Sequence, residues 1–250
     1  MGQGASVLGI DFDPVSTLFV KETIKNKHLK LVCGNFADIK NIALAANFNK
    51  VNGILFDLGV SSYQLESAER GFSFQKNASL DMRINPKLSV TAADLVNGLN
   101  EGELNELLTK YGQESSSRRI AAVLVRARIK KKIETTQELV EIIQGIVPRI
   151  GKLHPATKTF LALRIAINDE LNNLREGLEN SLALLKRKGR ILVISFHSLE
   201  DKIVKEFFRE KKKSGVLKIL TKKPIVPSLE EISLNSRSRS AKLRVGELIR

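Results

Sequence analysis

The chain has 250 residues, 42% of them hydrophobic, with a formal net charge of +14 and one cysteine. A single cysteine, Cys33, excludes a disulfide framework and a cysteine-rich zinc site, and three widely separated histidines lack metal-ligand spacing, so no metal is expected. No apolar run approaches the length of a membrane span, and we expect a soluble, cytoplasmic protein without a membrane partner. The positive charge favours a polyanionic partner such as RNA, although a generally basic proteome would give the same balance.

The first part of the chain predicts alternating strands and helices. Strands are expected over Ser6–Asp11, Leu29–Cys33 and Val51–Gly59, with a helix over Pro14–Lys27 and a second one before Val51. The apolar run Ile54–Phe56, bounded by turn residues, is typical of a strand buried on both faces of a parallel sheet. The order β-α-β-α-β predicts half of a doubly wound α/β sheet.

Two acids stand at the ends of predicted strands. Asp57 comes directly before a loop of small residues, and in open α/β sheets ligands bind beyond the carboxyl ends of the strands. It is therefore expected at the rim of a pocket, although an acid after a strand can equally be the N-cap of the next helix. Asp11 ends another strand, where nucleotide-binding folds hold ribose hydroxyls, but this signal alone is weak.

The middle of the chain, from Thr91 to about Val147, predicts helices only, and we expect residues 86–155 to form an insertion. Within it, the predicted helix Arg118–Lys132 has apolar residues on one side and cations around the rest. The cations are Arg118, Arg119, Arg126, Arg128, Lys130, Lys131 and Lys132. A solvated surface helix gives the same pattern, but the net charge favours contact with phosphates.

The last part returns to α/β character. Leucines and other apolar residues at three- and four-residue steps predict one long amphipathic helix over Thr157–Leu185. A buried strand is expected over Arg190–Ser198, with His197 at its exit, and a short strand over Val216–Leu220. Ala241–Ile249 is predicted to be a final edge strand.

The motifs in these segments together resemble one family, the RsmH (MraW) bacterial 16S rRNA cytosine-N4 methyltransferases, which use S-adenosylmethionine. The matching blocks follow the family order and span nearly the whole chain. They are GIDFDP (9–14), DLGVSSYQLESAERGFSF (57–74), LDMRI (80–84), KYGQE (110–114), HPATKTFLALRIAINDEL (154–171), GRILVISFHSLEDKIVK (189–205) and NSRSRSAKLR (235–244).

The resemblance implies a fold, a reaction and several site residues. The fold would be a Rossmann-like class I methyltransferase domain over residues 1–85 and 156–250, with 86–155 as a helical RNA-recognition domain. Asp11, Phe36, Asp57 and Gln64 match cofactor contacts. The implied reaction methylates the N4 amine of a decoding-centre cytidine in the small ribosomal subunit.

Catalytic residues cannot be assigned by matching. Related enzymes that methylate amines place a D/N/S-P-P-Y/F turn after the strand, and DLGVSS lacks its prolines and aromatic ring. Asp57, Ser61 and His197 remain candidates, while for His197 a hydrogen-bonded histidine at a strand end is the simpler interpretation.

The chain departs from the family pattern at its front. The family begins with a strand, a GxGGH loop and a helix before the GID block, whereas here Val7 comes almost at once. We expect the first strand of the sheet to be missing and S-adenosylmethionine to bind poorly. A truncated RNA-binding form without catalysis is therefore a second hypothesis. A nicotinamide-dependent dehydrogenase ranks low, because the G-x-G-x-x-G turn is absent.

Overall fold

The computed structural model describes residues 4–149 and 153–249 and shows mixed α/β structure. In chain order the elements are β1 (Val7–Asp11), α1 (Pro14–Thr23), β2 (Leu29–Cys33), α2 (Ile39–Ala45), β3 (Val51–Asp57), α3 (Ser62–Glu66), α4 (Ala92–Gly98), α5 (Glu101–Gly112), α6 (Ser117–Lys130), α7 (Thr136–Gln144), α8 (Thr157–Asn168), α9 (Glu170–Leu182), β4 (Leu185–Ser195), α10 (Ser198–Lys213), β5 (Leu217–Ile219), α11 (Leu229–Leu234) and β6 (Lys242–Leu248).

These elements form two compact units. The first contains Met1–Gly59 and Leu171–Arg250, and the second contains Val60–Glu170. All the strands described here lie in the first unit. The second unit contains the predicted insertion, residues 86–155, and extends beyond it on both sides.

The strands of the first unit form two sheets. Strands β1 and β2 pair in parallel, from Val7 opposite Leu29 to Asp11 opposite Cys33. The other sheet has the order β3-β4-β6-β5, with β3 and β4 parallel and β6 antiparallel to both its neighbours. The prediction that the last strand lies at an edge is wrong, because the short strand β5 pairs with the outer side of β6 and takes the edge position.

Strand β3 is buried on one face only, which corrects the expectation of burial on both. Ile54 and Phe56 are 9% and 5% exposed, whereas Leu55 between them is 60% exposed. Successive side chains of a strand point to opposite faces, so the face that carries Leu55 remains open among the described residues. Within the same part of the chain, no strand pairs with the second edge of β3.

The predicted long helix over Thr157–Leu185 is two helices, α8 and α9. Asp169 between them has a φ of +48°, and a left-handed residue ends a helix although the apolar spacing continues through it. Strand β4 also begins earlier than predicted, at Leu185 rather than Arg190. The residues between these two positions form a bulge, which the apolar pattern does not reveal.

The second unit is a helical cluster around an apolar core. Leu104, Leu108, Ile120, Leu124 and Leu163 are almost completely buried in it. Helices α4, α5 and α7 each begin with a capping box, with Thr91, Asn100 and Thr135 as the N-caps. Among the described residues, none of the helices in either unit combines the length and apolar character needed to cross a membrane.

Candidate functional site

The carboxyl ends of β1, β2 and β3 meet at one rim of the first unit. The Gly34 amide beyond β2 donates a 2.9 Å hydrogen bond to the Asp11 carbonyl at the end of β1. Two residues later, the Phe36 ring lies edge-on to Phe56 of β3, with centroids 5.8 Å apart. Asp11 and Asp57, each the last residue of its strand, are therefore on the same rim.

Helix α9 fixes the loop that carries Phe36. Asn173 accepts a 2.9 Å bond from the side chain of Asn35, and Asn180 donates a 2.7 Å bond to the Ala37 carbonyl. Gly177 lies between them, and a Cβ placed there would be 2.8 Å from the Phe36 ring. Sequence reasoning missed these three α9 residues. Their spacing of four and three residues puts them on one helix face. A row of polar and small residues on a helix face is the pattern that could have indicated a close contact with another segment.

The carboxyl group of Asp57 lies at this rim, at the end of β3. Although the residue is exposed overall, burial of the carboxyl raises its pKa above the ordinary value. It makes no hydrogen bond to another residue in the described part of the chain. The N-cap of the next helix is Ser61 rather than Asp57, so a serine of this loop starts the helix and the acid does not. Gly59, two residues later, has a φ of +92°, which turns the chain away from the strand.

Asp11 and its neighbour Asp13 have different roles. The buried Asp13 is the N-cap of α1 and accepts hydrogen bonds from the Val15 amide at 3.0 Å and the Ser16 hydroxyl at 3.1 Å. Asp11 is exposed, and one of its carboxylate oxygens accepts a 2.8 Å bond from the Asp13 amide. That contact orients the Asp11 carboxylate at the rim.

His197 is the N-cap of α10. Its Nδ1 accepts a hydrogen bond from the Glu200 amide at 3.4 Å, and Glu200 Oε2 accepts bonds from the amides of Phe196 and His197 at 2.8 and 3.2 Å. Because Nδ1 is an acceptor, the proton of the neutral ring is on Nε2. Nε2 is buried and 3.2 Å from Glu200 Oε1, without the alignment of a hydrogen bond. The ring therefore suits capping and donation better than proton abstraction.

Ser61 and Gln64 form a capping box at the start of α3, in the second unit. The Gln64 amide donates to the Ser61 hydroxyl at 3.2 Å, and the Ser61 amide donates to Gln64 Oε1 at 2.8 Å. Both side chains thus have a local structural role. The cofactor contact of Gln64 and the catalytic role of Ser61 stay predictions.

The cations predicted to bind RNA fall into two groups. Arg119 and Arg128 donate to the backbone carbonyls of Ile146 and Val96, and Lys131 pairs with Glu138. The others, Arg118, Arg126, Lys130 and Lys132, are exposed. Arg119 and Lys131 are exposed as well, so the first group is distinguished by its contacts within the unit rather than by burial.

Comparison with known proteins decides the family. The model of the MraW methylase family matches residues 2–249, nearly the whole chain. The chain belongs to the MraW methylase family. This confirms the resemblance found in the sequence motifs and the expected Rossmann-like methyltransferase fold.

Several relatives in this family are close to the chain. It is 47% identical to ribosomal RNA small subunit methyltransferase H of Persephonella marina over 248 residues, covering 97% of this chain and 84% of the relative. Identity to the protein of the same name from Deinococcus radiodurans is 50%, covering 99% and 78%. The corresponding protein of Geobacter sulfurreducens is 46% identical, covering 96% and 84%.

Proposed function

We propose that this MraW family methylase transfers a methyl group from S-adenosylmethionine to the N4 amine of a decoding-centre cytidine in 16S rRNA of the small ribosomal subunit. The single observation that carries the proposal is the rim where Asp11, Phe36 and Asp57 lie together at the ends of parallel strands. The relatives' names, which specify small subunit rRNA, support the substrate class.

The rim fits the proposed cofactor. The exposed Asp11 carboxylate suits the two ribose hydroxyls, and the half-buried ring of Phe36 offers an apolar surface for adenine. Asp57, without a hydrogen bond to the described residues, has acceptor capacity for a second set of donors. When bound, S-adenosylmethionine would supply a sulfonium methyl group activated for displacement.

The residues of this chain would mainly position the target amine. With the methyl donor bound, the amine nitrogen would be held in line with the transferable methyl group, and after transfer it would release one proton to water. No strong base is needed, because alkylation makes the amine acidic. Asp57 would accept a hydrogen bond from the amino group and align it with the methyl group. This orientation would lower the barrier to methyl transfer. The cytosine must be unstacked to reach this rim.

A methylation assay tests the proposal. Small subunits from cells that lack this methylation are incubated with the protein and S-adenosylmethionine, and the rRNA nucleosides are identified by mass spectrometry. We expect N4-methylcytidine, at about one methyl group per small subunit. Methyl incorporation at a ring carbon or at a base other than cytosine would overturn the proposed chemistry.

A catalytically weak RNA-binding form of the enzyme is the second candidate. It is favoured by the separation of the sheet into two parts and by the open face at Leu55, since both leave the strands next to the rim less supported. This candidate predicts salt-sensitive RNA binding with no methyl incorporation in the same assay.

A further inference from the structure

The end of the first unit opposite the rim carries a cationic cavity. Val51 begins β3 and pairs with Leu185, whereas Asp57 ends β3 and pairs with Ile194. A strand of this length places its two ends about 20 Å apart. The cavity, of about 540 Å³, is lined by Lys50, Leu182, Ala183, Leu185, Lys186, Arg187, Val216 and Leu248.

The bulge in β4 is what projects these cations. Asn52 lies between Val51, which pairs with Leu185, and Gly53, which pairs with Arg190, so residues 186–189 loop out of the strand. The turn closes through Lys188, with a φ of +63°, and through Gly189, where a Cβ would be 2.7 Å from the Lys186 carbonyl. Lys186, Arg187 and Lys188 are all exposed as a result.

The cavity has cations at its edge and apolar residues at its floor. Its cationic lining residues are Lys50, Lys186 and Arg187, and none of its described lining residues is acidic. The Lys50 ammonium donates to the Ala183 carbonyl at 2.9 Å, which holds it at the cavity edge. Leu185 and Leu248, both buried, provide the floor.

Two acids near this end, Glu247 and Glu179, have cationic partners. Glu247 lies 3.5 Å from Arg190, and Glu179 lies 2.7 Å from Lys211. No ion pair joins Lys50, Lys186 or Arg187 to a carboxylate in the part of the chain that the structure describes. Three cations around a concave surface whose described lining holds no carboxylate suit a polyanion such as a phosphodiester chain.

We propose that this cavity binds the phosphate backbone of RNA, as a second contact distant from the methyl-transfer rim. The inference rests on the RNA substrate of the proposed function and adds a contact to it. Since the two sites are about 20 Å apart along β3, one RNA segment several nucleotides long would span them. Contacts to phosphates carry no sequence information, so this site would supply affinity and register.

Salt-dependent RNA binding tests the proposal. Binding of a fluorescein-labelled twenty-nucleotide single-stranded RNA is measured by anisotropy without S-adenosylmethionine, from 50 to 300 mM KCl. For Lys50→Ala/Lys186→Ala/Arg187→Ala we expect at least tenfold weaker binding near 100 mM salt. We also expect a log–log salt slope that is smaller in magnitude by about 2, as for three lost contacts to single-stranded RNA. The control is Lys25→Ala/Lys27→Ala/Lys223→Ala, which removes three exposed cations outside the cavity.

A second pair of variants separates charge from shape. Ala183, an exposed lining residue, is changed to Glu, which places a carboxylate among the three cations, or to Gln, which has nearly the same size. We expect Ala183→Glu to weaken RNA binding about tenfold and Ala183→Gln to bind like the unchanged protein. Equal affinities of these two variants, or equal losses in the cavity triple variant and its control, would overturn the proposal.

The binding assay does not depend on catalysis. If the chain fails to methylate RNA, RNA binding by the cavity can still be measured. A negative result for one proposal therefore does not decide the other. Where methylation is detected, the cavity triple variant should raise the KM for RNA and leave kcat unchanged, because the altered residues are far from the rim.

Discussion

The ring of Phe36 lies edge-on to the ring of Phe56, with an interplanar angle of 77°. Phe36 follows β2 and Phe56 lies one residue before the end of β3, so this contact links strands that belong to different sheets. An edge-to-face aromatic pair stabilises by about 1 kcal/mol beyond its buried area. The pair therefore helps to keep the two acids of the rim, Asp11 and Asp57, on one side of the unit.

The first prediction concerns Gly177, which packs against Phe36. Gly177→Ala adds a methyl group 2.8 Å from the Phe36 ring and 3.1 Å from its carbonyl, so the loop must move. We expect S-adenosylmethionine binding, measured by calorimetry, to weaken about tenfold, even though alanine favours a helix by ~1 kcal/mol over glycine. Gly98→Ala is the control, because nothing lies within 4 Å of a Cβ there. Unchanged affinity in Gly177→Ala would remove Phe36 from the cofactor site.

The second prediction concerns Asp57 and its protonation. Asp57→Asn keeps the shape of the side chain and removes its charge, and we expect methyl transfer to fall about 100-fold, as when one oriented polar group is lost from an active site. Since burial raises the pKa of Asp57, the acid limb of the unchanged protein's pH–rate profile should lie above the ordinary aspartate range and be absent in the variant. Full activity in Asp57→Ala would exclude Asp57 from the mechanism.

The charge of Asp57 should also affect the free energy of unfolding. A raised pKa means that folding disfavours the charged form of Asp57. The carboxylate therefore lowers the free energy of unfolding above its folded-state pKa, and this cost disappears below its unfolded-state pKa, where the group is protonated in both states. Asp57→Asn should accordingly be as stable as the unchanged protein at pH 7, or slightly more stable. Urea denaturation at pH 7 measures this and shows that any loss of activity is not unfolding.

The third prediction concerns the ion pair between Asp201 and Arg244. Burial raises the pKa of Asp201, but the hydrogen bonds and charge of Arg244, 2.7 Å away, outweigh it and lower the pKa below the ordinary value. Asp201→Asn should reduce the free energy of unfolding by about 3 kcal/mol at pH 7, because it leaves a largely buried guanidinium without its partner. Replacing both residues, in Asp201→Asn/Arg244→Met, should recover part of the loss.

The pH dependence of that pair has a definite sign. A lowered folded-state pKa stabilises the protein above the ordinary aspartate pKa, and the contribution is lost as the pH falls through the folded-state value. The difference between Asp201→Asn and the unchanged protein should therefore shrink in urea denaturation series run from pH 6 to pH 3. A difference that stays constant over this range would contradict the assignment.

The fourth prediction separates the cations of α6. Arg118, Arg126 and Lys130 are exposed and make no ion pair or hydrogen bond with another described residue, so replacing all three with alanine should weaken RNA binding about tenfold at unchanged stability. Arg128→Ala instead removes a donor to the Val96 carbonyl, at 2.6 Å, and should cost about 2 kcal/mol of stability. Anisotropy and urea denaturation on both variants test the distinction. The reverse pattern would show that the sequence prediction chose the wrong cations.

The family and the order of elements were predictable from the sequence. Apolar runs ending at Asp11 and Asp57 fixed two strands, because such runs bounded by turn residues have few alternatives in an α/β chain. The helical character of the segment from Thr91 to about Val147 was equally predictable, since helix starts such as those at Thr91 and Thr135 depend on residues three apart. The cofactor contacts and the cytidine target still rest on resemblance.

Only the tertiary structure decided which strands are neighbours and which residues support the rim. The inner position of β6, the open face at Leu55 and the stripe of Asn173, Gly177 and Asn180 against the Phe36 loop depend on contacts between residues distant in sequence. The bulge that projects Lys186 and Arg187 depends on the register of β4 against β3. Local patterns of polarity determine single elements, whereas register and packing are properties of pairs of elements, and no single stretch of sequence contains them.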